Sequence, residues 1–345
     1  MTIFDLVKAT ELTAYWEEMS KDRAPYLGEE LFPNQKKLGL KLEYIKGASG
    51  LPVVLKPSAF DAEAVPLPRL NFEKMAAEMP FFKSSMYIDE VMRQELNIVM
   101  DTGNQGYIDT VLNRIFNDEM RLLEAAAARR EQMRMMALTT GAISVSANGQ
   151  KYDYDYGIPA AHKVDAGATW ATTTTDIPEN IRTWQDKIED DTGVRPTRAI
   201  CSRKTWGYIR KNQNIIKSLF VLSNGEVSSL SDARLNQYFM DEFGLEVVVY
   251  SKRYISDTKA ATAYVPDDTF VMFPEGTLGN TWFGTTPEES DLLGGRAANV
   301  SITDMGVAVT TMQEVDPVQV ETKVTMICLP SFEKANEILI ADVSK

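Results

Sequence analysis

The feature that most constrains the fold is a long stretch of helical periodicity from Tyr107 to about Leu138. Apolar side chains recur through it at intervals of three and four residues, beginning with Ile108, Val111, Leu112 and Ile115. A helix of about 30 residues is roughly 45 Å long, which exceeds most helices of globular proteins. The pattern therefore predicts one helix that spans a domain and ends at Gly141.

Two segments before this helix carry apolar side chains that they cannot bury by themselves. The arm of residues 1–34 contains four aromatic side chains, and the segment 37–45 alternates like a strand with four apolar side chains on one face. The eight residues are Tyr15, Trp16, Tyr26, Phe32, Leu38, Leu40, Leu42 and Tyr44. An isolated hairpin is marginally stable in water. We therefore expect these side chains to lie against another surface, in the same chain or in a neighbour.

The chain after the long helix mixes strands and helices. Asn148-Gly149 predicts the turn of a hairpin over 142–158, and Asp176-x-Pro178-Glu179 resembles a capping box that begins a helix. Further predicted elements are a strand over 198–201, a helix over 202–218, a helix over 232–243 closed by Gly244, a strand over 245–250, a hairpin around 265–269 that leads into 270–273, and strands over 323–329 and 337–343. This order predicts an α+β fold.

The composition excludes several classes of protein. The chain has 345 residues, 44% of them hydrophobic, which is enough for a substantial core. No apolar run approaches the ~18 residues of a membrane helix, and the first residues lack the pattern of a secretory signal, so we expect neither membrane insertion nor secretion. The net charge of −13 disfavours extensive contact with nucleic-acid phosphates. Cys201 and Cys328 lie in no CxxC motif, which predicts reduced, buried thiols.

Few residues are suited to catalysis. His162 is the single histidine, and no nucleophile stands at a fixed spacing from it, so we interpret it as a surface or hydrogen-bonded residue. Asp101-Thr102-Gly103 follows an apolar run as in an aspartic protease, but it occurs once and a long helix follows, which favours a turn. The phosphate-binding patterns GxxxxGK[ST] and GxGxxG are absent. We therefore predict no catalytic residue, no metal ligand and no cofactor.

Three further clusters have a functional and a structural interpretation. The acidic segment 288–291 has oxygen ligands of the kind that calcium prefers, but it lacks the order of an EF-hand loop and is better interpreted as a solvated loop. Arginines of the long helix alternate with glutamates at ion-pair spacing, which favours pairing within the helix over nucleic-acid contacts. The tyrosines of 152–156 alternate with aspartates that would repel phosphate, so a half-buried strand face or a subunit contact is favoured.

Several short sequences, in the same order as the predicted elements, carry a resemblance to a known family. They are Asp118-Glu119, Thr140-Gly141, Tyr156-Gly157, Tyr264-Val-Pro-Asp-Asp-Thr269 with Phe270 to Phe273, Thr325-Met-Ile327, Pro330, and Asn336 to Val343. Together they resemble the lambda-type major capsid protein E family of tailed phages, which has the Hong Kong 97 phage capsid fold. The resemblance extends over nearly the whole chain.

The resemblance implies an α+β capsid fold and a set of domains. Residues 1–34 would form the N-terminal arm, 35–92 the extended E-loop hairpin, 93–175 the peripheral domain with its spine helix at about 107–138, 176–310 the axial domain, and 311–345 the return strands of the peripheral domain. It also implies a structural protein without catalytic residues, which self-assembles into hexamers and pentamers of an icosahedral shell. The eight side chains of the arm and E-loop are then expected to make contacts between subunits.

The resemblance also implies partners and a location. The partners would be copies of the chain itself, a scaffolding protein, a portal and, as in some relatives, a decoration protein on the outer surface. Double-stranded DNA would be enclosed and not specifically bound, which agrees with the acidic charge. No cofactor and no membrane are implied. The protein is expected in the virion capsid, assembled in the host cytoplasm.

Three alternatives to a phage head remain open on the sequence. An encapsulin-like compartment would share the fold and enclose a cargo enzyme. An enzyme would depend on Asp101, as a single-DTG aspartic-type hydrolase, or on His162. A small adaptor or tail-tube protein would form rings or tubes, which the long helix argues against.

Overall fold

The computed structural model describes residues 7–46, 73–88, 90–101, 105–147, 150–220, 229–256, 259–292, 298–315 and 318–345. Contacts within the chain divide it into two compact units. The first unit comprises Met1–Leu42, Ala76–Met133 and Asn280–Ser331. The second unit comprises Glu43–Met75, Arg134–Gly279 and Phe332–Lys345.

The described residues form helices and strands in mixed order. The α-helices are α1 Ala9–Lys21, α2 Leu27–Leu31, α3 Glu90–Asp101, α4 Gln105–Thr140, α5 Ile177–Thr192, α6 Arg203–Arg210, α7 Gln213–Leu219 and α8 Asp232–Phe243. The strands are β1 Asn34–Lys36, β2 Lys41–Lys46, β3 Glu73–Glu78, β4 Phe81–Ile88, β5 Ala142–Ala147, β6 Gln150–Asp155, β7 Lys163–Asp165, β8 Arg198–Cys201, β9 Glu246–Val249, β10 Arg253–Ile255, β11 Ala261–Ala263, β12 Thr269–Phe273, β13 Thr281–Phe283, β14 Asn299–Thr303, β15 Val307–Val315, β16 Val318–Pro330 and β17 Leu339–Asp342. Short 3₁₀ turns lie at Ala160–His162 and Ala335–Glu337, and a π-helical turn at Glu288–Leu292.

The first unit is built on a six-stranded sheet whose longest strand is β16. This strand pairs antiparallel with β15, β4 and β13, while β14 pairs with β15 and β1 runs parallel to β13. Directly opposite residues of paired strands share one face of a sheet. Thr322 and Met326 of β16 therefore lie on one face, and Lys323 and Thr325 lie on the other.

Helices α1 and α4 cover one face of this sheet. The Thr13 hydroxyl of α1 is 2.9 Å from the Ser301 hydroxyl of β14. The Arg129 guanidinium of α4 lies 5.9 Å from the ring centroid of Phe82 in β4, opposite Met326. The π-helical turn contacts the other face through Glu288, whose carboxylate accepts a hydrogen bond from Thr325.

The second unit is built on a five-stranded sheet in the order β7-β17-β12-β8-β9. β12 is antiparallel to both of its neighbours, whereas β7 runs parallel to β17 and β9 runs parallel to β8. Helices α5 to α8 pack their apolar sides into one core with this sheet. The largest aromatic side chains in the core are Trp170, Trp184, Trp206, Tyr238, Phe239, Phe243 and Phe270. Strands β10 and β11 form a separate antiparallel pair.

The long helix and most local elements of the second unit confirm the sequence predictions. Helix α4 runs from Gln105 to Thr140, and Gly141 follows it with a φ of 74°. The Asp176 carboxylate caps α5 by accepting a hydrogen bond from the Glu179 backbone N–H at 3.2 Å. Gly244 closes α8 in the left-handed conformation, which a residue without a side chain adopts at low cost.

Two predicted elements were wrong. The helix predicted over 202–218 is two helices, because the Asn212 side chain accepts hydrogen bonds from the backbone N–H groups of Asn214 and Ile215 and so begins α7. The hairpin predicted around 265–273 is not formed. Its second strand, β12, instead pairs with the distant strands β8 and β17.

Two further strand pairs are separate from these sheets. β2 pairs with β3, and the strand predicted over 37–45 is present only from Lys41, because residues 38–40 form a bend. β5 pairs antiparallel with β6, with Ala147 opposite Gln150. The predicted Asn148-Gly149 turn between them lies outside the described residues.

The two units divide the chain differently from the predicted domain ranges. Residues 311–345 were expected to belong to one domain, but β15 and β16 lie in the first unit and β17 in the second. The physical reason is pairing, because β17 lies between β7 and β12. The predicted segment 93–175 is divided as well, after Met133. The names peripheral and axial stay predictions.

Membrane insertion through a helix finds no support in the structure. Within the described ranges, no helix combines the length and the apolar character that crossing a bilayer requires.

Candidate functional site

The eight side chains expected at subunit contacts fall into two groups. Trp16 on α1, Phe32 after α2 and Leu42 in β2 are buried within the chain itself. Burial within their own chain leaves these three side chains little surface for a second subunit. Their part in subunit contacts stays a prediction.

The tyrosines of the arm are half-buried by contacts with their own chain. The Tyr15 hydroxyl donates a hydrogen bond to Asn117 Oδ1 at 3.0 Å, and its ring centroid is 5.7 Å from that of Phe116. Both partners belong to α4. The Arg23 guanidinium carbon lies 5.6 Å from the ring centroid of Tyr26. Tyr44 is half-buried in β2. Helix α1 therefore folds back onto the first unit instead of extending away from it.

Leu38 and Leu40 are the two predicted contact residues that are exposed. Leu38 is 83% exposed and Leu40 is 49% exposed, and Ile45 in the same segment is 49% exposed as well. The backbone bends between the leucines at Gly39, whose φ is 91°. Apolar side chains that protrude on a short bend are typical of a contact surface.

A second exposed apolar region was missed by the sequence analysis. Phe81 and Tyr87 of β4 are 42% and 50% exposed, and larger exposed fractions occur on α3 and at the start of α4. The residues of these two helices are Val91, Ile98 and Tyr107. The sequence signal is weak because the segment Phe-Phe-Lys-Ser-Ser-Met-Tyr-Ile of β4 does not alternate between apolar and polar residues.

The residues suggested for enzyme chemistry are not arranged for it. His162 is buried, and its Nε2 lies 3.0 Å from Asp191 Oδ2 on α5, which is a structural hydrogen bond. Asp101 is exposed and is the last residue of α3, so it lies in a helix that was not predicted and not in the predicted turn. Thr102 and Gly103 lie outside the described residues.

Two of the three acidic residues at 288–291 pair with lysines, and Glu288 is buried, so this segment is not the solvated loop that was predicted. Glu288 Oε1 lies 2.8 Å from Lys323 Nζ, and Glu289 Oε2 lies 2.5 Å from Lys36 Nζ. Burial raises the pKa of Glu288, but the hydrogen bonds from Lys323 and Thr325 outweigh it and hold the pKa below its usual value. No group of three or more His, Cys, Asp or Glu side chains in the described part of the chain is placed to hold a metal ion.

The arginines of α4 form contacts both in the interior and at the surface of the protein. Arg130 is buried and its Nη2 lies 2.5 Å from Asp304 Oδ2, while exposed Arg121 pairs with Asp118 three residues away. Arg129 donates a hydrogen bond to the Gln132 side chain at 2.7 Å. The predicted pairing with glutamates of the same helix does not hold for two of these residues, because Arg121 pairs with Asp118 and Arg130 pairs with Asp304 outside α4. The contacts nevertheless leave no row of free cations for nucleic acid on these three residues.

Glu119 is a buried carboxyl group that the sequence analysis did not distinguish. It lies on α4, where the helix faces the sheet. Burial raises its pKa to about 8, the Asp118 charge adds to this, and contact with the Thr322 hydroxyl lowers it. Glu119 is therefore largely protonated at neutral pH.

The tyrosine face of β6 and the cysteines agree with their structural interpretations. Tyr152 and Tyr154 are half-buried and Tyr156 is buried, with its ring 5.7 Å from that of Phe332. Cys201 and Cys328 are both buried, and neither forms a disulfide bond. Burial raises the pKa of the Cys201 thiol well above its usual value.

Comparison with known proteins supports one family. The family model described as phage major capsid protein E matches residues 8–343. No curated protein matches the sequence.

Two solved structures share the fold. A capsid protein of a prophage of Escherichia coli CFT073 is 15% identical, with a TM-score of 0.62, over 98% of this chain and 99% of that one. A phage-related protein from Bordetella bronchiseptica RB50 is 12% identical, with a TM-score of 0.58, over 98% of this chain and 97% of that one. Because the family model spans almost all of the sequence, the chain belongs to the phage major capsid protein E family.

Proposed function

We propose that this protein is the major head protein of a tailed phage, and that its copies form hexamers and pentamers of an icosahedral shell around double-stranded DNA. The single observation that carries the proposal is the family match over residues 8–343. In this role the protein is a structural component of the virion capsid and performs no catalysis. Assembly in the host cytoplasm is part of the proposal.

The exposed segment 38–45 supports a contact between subunits. Leu38 and Leu40 present apolar surface that the described residues do not cover, and the backbone bends between them at Gly39. Burial of apolar surface is worth about 25 cal/mol per Å², so each contact of this kind adds to the stability of a shell built from many copies. Of the eight residues predicted for contacts, we retain Tyr15, Tyr26, Leu38, Leu40 and Tyr44 for this role.

The remaining partners follow from the same role. A scaffolding protein would direct the copies to the correct curvature, a portal would occupy one vertex, and a decoration protein would bind the outside of the shell. The DNA would be held by enclosure, since a net charge of −13 per chain gives the wall little attraction for phosphate.

Electron microscopy of the protein expressed alone and with a candidate scaffold tests the proposal. Closed shells of uniform diameter are expected in at least one sample. A monomer or dimer in both samples would contradict it. Tubes or rings would favour the tail-tube alternative, and shells filled with a cargo enzyme would favour the compartment alternative.

A double variant tests the contact role of the leucines. Leu38→Ser with Leu40→Ser is expected to leave the subunit folded, because both side chains are exposed, and to lower the yield of shells at least about tenfold. The matched control is Met240→Ser, which removes an exposed apolar side chain from α8. Normal shell yield from the double variant, or an equal loss from the control, would contradict the assignment.

A further inference from the structure

In the described part of the chain, β4 is an edge strand of the first unit's sheet. It pairs with β16 along its whole length, from Phe81 opposite Ile327 to Ile88 opposite Val320. Among the described strands, none pairs with the other side of β4. Eight residues of strand, about 26 Å long, therefore present backbone N–H and C=O groups that are available to another strand.

The side chains of β4 do little to block such pairing. Its single charged residue is Lys83, and the middle of the strand is Ser84-Ser85. Proteins usually protect a long edge strand with several charges, a proline or a bulge. Phe81 and Tyr87, near the two ends, are instead aromatic and partly exposed. This edge therefore has the character of a pairing surface.

The sequence of β4 is complementary to itself in one antiparallel register. A two-fold axis through Ser84 places Phe81 opposite Tyr87 of the second copy, Phe82 opposite Met86, and Lys83 opposite Ser85. Aromatic pairs and aromatic–methionine pairs across strands are stabilising, and this register places no like charges opposite one another. The alternative axis through Ser85 would place Lys83 opposite Tyr87 and leave Phe81 without an aromatic partner.

The partner is a second copy of this chain because the chain belongs to a family whose members build capsids, so that copies surround each copy. An isologous contact about a two-fold axis is the commonest way in which identical subunits meet. One pair of strands buries less than the roughly 1,200 Å² of a stable independent interface. The contact should therefore form within a particle, where other contacts support it, and not between isolated subunits.

We propose that β4 pairs antiparallel with β4 of a second copy, about a two-fold axis through Ser84, and so joins two first-unit sheets across a subunit boundary. The inference rests on the proposed function, since it requires assembled particles. The inference goes beyond the proposed function by naming the strand, the register and the symmetry of one contact.

Single cysteine substitutions test the register. Opposite Cα atoms of an antiparallel pair are about 4.5 to 5.5 Å apart, within the range of a disulfide. Ser84→Cys should therefore crosslink two copies when purified particles are mildly oxidised. Ser85→Cys is the matched control, because its two copies would be offset by two residues along the strands and their Cα atoms would be roughly 8 Å apart, beyond disulfide range. The native Cys201 and Cys328 are buried and contribute little background.

The result expected on a non-reducing gel is at least about fivefold more dimer from Ser84→Cys particles than from Ser85→Cys or unmodified particles. Equal dimer from both variants, more dimer from Ser85→Cys, or a crosslink from Ser84→Cys to a different protein would overturn the proposal. If Ser84→Cys does not assemble, Phe81→Cys with Tyr87→Cys provides the same test, and no dimer from its particles would overturn it. Particles of the unmodified protein are counted by microscopy first. If the unmodified protein forms no shells, the proposed function is contradicted and the register is not.

Discussion

Two buried cations of the first unit are paired with carboxylates on other elements. Arg130 of α4 contacts Asp304 in the turn between β14 and β15, and Lys323 of β16 contacts Glu288 in the π-helical turn. Removing an ion from water costs several kcal/mol unless a partner of opposite charge is well placed. The pairs therefore fix the positions of two turns against the helix and the sheet.

The Arg130–Asp304 pair leads to the first prediction. Asp304→Ala leaves the buried Arg130 without its carboxylate partner, so the free energy of unfolding should fall by about 3 kcal/mol. Asp118→Ala is the control, because its partner Arg121 is exposed and such surface pairs are worth at most about 1 kcal/mol. Urea unfolding of the unassembled subunit measures the free energy of unfolding of both variants. Equal, small losses would show that the buried pair does not stabilise the fold.

Glu119 leads to a prediction about pH. Its pKa in the folded chain is about 8, above the 4.5 of an ordinary glutamate, so the folded state holds a proton that the unfolded state has released between these values. The contribution of Glu119 to the free energy of unfolding should therefore be highest below pH 4.5. It should fall by at most about 1.4 kcal/mol per pH unit between pH 4.5 and 8 and level off above pH 8.

The pH prediction is measured with Glu119→Gln. The amide cannot ionise, so the stability of this variant relative to the unmodified protein should increase steadily from pH 5 to pH 8, about the window set by the two pKa values. Glu124→Gln, at an exposed position of the same helix, is the control and should show no such trend. Parallel pH profiles for Glu119→Gln and the unmodified protein would contradict the prediction.

At the scale of single elements, the end of the long helix is fixed by one glycine. Gly141 has a φ of 74°, and a Cβ placed on it would lie 2.5 Å from Ile158 Cδ1. Gly141→Ala should therefore destabilise the protein by about 1 to 3 kcal/mol through backbone strain and the close contact. Gly207→Ala in α6 is the matched control, because its φ is ordinary and nothing lies within 4 Å, and it should stabilise by up to about 1 kcal/mol. Thermal unfolding that ranks the two variants in the opposite order would contradict this explanation.

Elements that depend on nearby residues could be predicted from the sequence, and elements that depend on distant partners could not. The cap at Asp176 and the glycine stop at Gly244 act within four residues, so the helices that they bound were predicted. The cap at Asn212 is equally local, but its signal was overlooked. β12 looked like half of a hairpin because the sequence does not show that β8 and β17, far away in the chain, flank it.

The same distinction between nearby residues and distant partners explains why the candidate contact residues differ in exposure. The alternation of Leu38, Leu40 and Leu42 predicted a single apolar face, yet the bend at Gly39 and the start of β2 leave the first two exposed and the third buried. Which of them is covered depends on residues distant in sequence, such as Phe283, whose carbonyl accepts a hydrogen bond from the Lys37 backbone N–H at 2.8 Å. The pattern identified the segment, and tertiary contacts decided the role of each residue.

At the scale of the whole molecule, the acidic net charge limits how strongly the proposed shell would attract DNA phosphates. Proteins that bind DNA through phosphate contacts release counterions, so their affinity falls steeply as salt rises. A chain with 49 acidic and 36 basic residues has no excess of cations to provide this attraction. In the proposed role, a shell of such chains would hold DNA by enclosure and not by attraction to its wall.

This argument predicts that empty particles do not retain DNA through attraction to their wall. Sedimentation of particles with labelled double-stranded DNA should show retention that is low and unchanged between about 50 and 200 mM salt, whereas six to ten phosphate contacts would lower the affinity by about 10³ to 10⁵ over this range. Glu17→Lys with Glu18→Lys, at exposed positions of α1, provides a less acidic particle for comparison. Strong retention by unmodified particles at low salt, lost at high salt, would contradict enclosure without binding and would mean that basic side chains gather on one face of the shell despite the net charge.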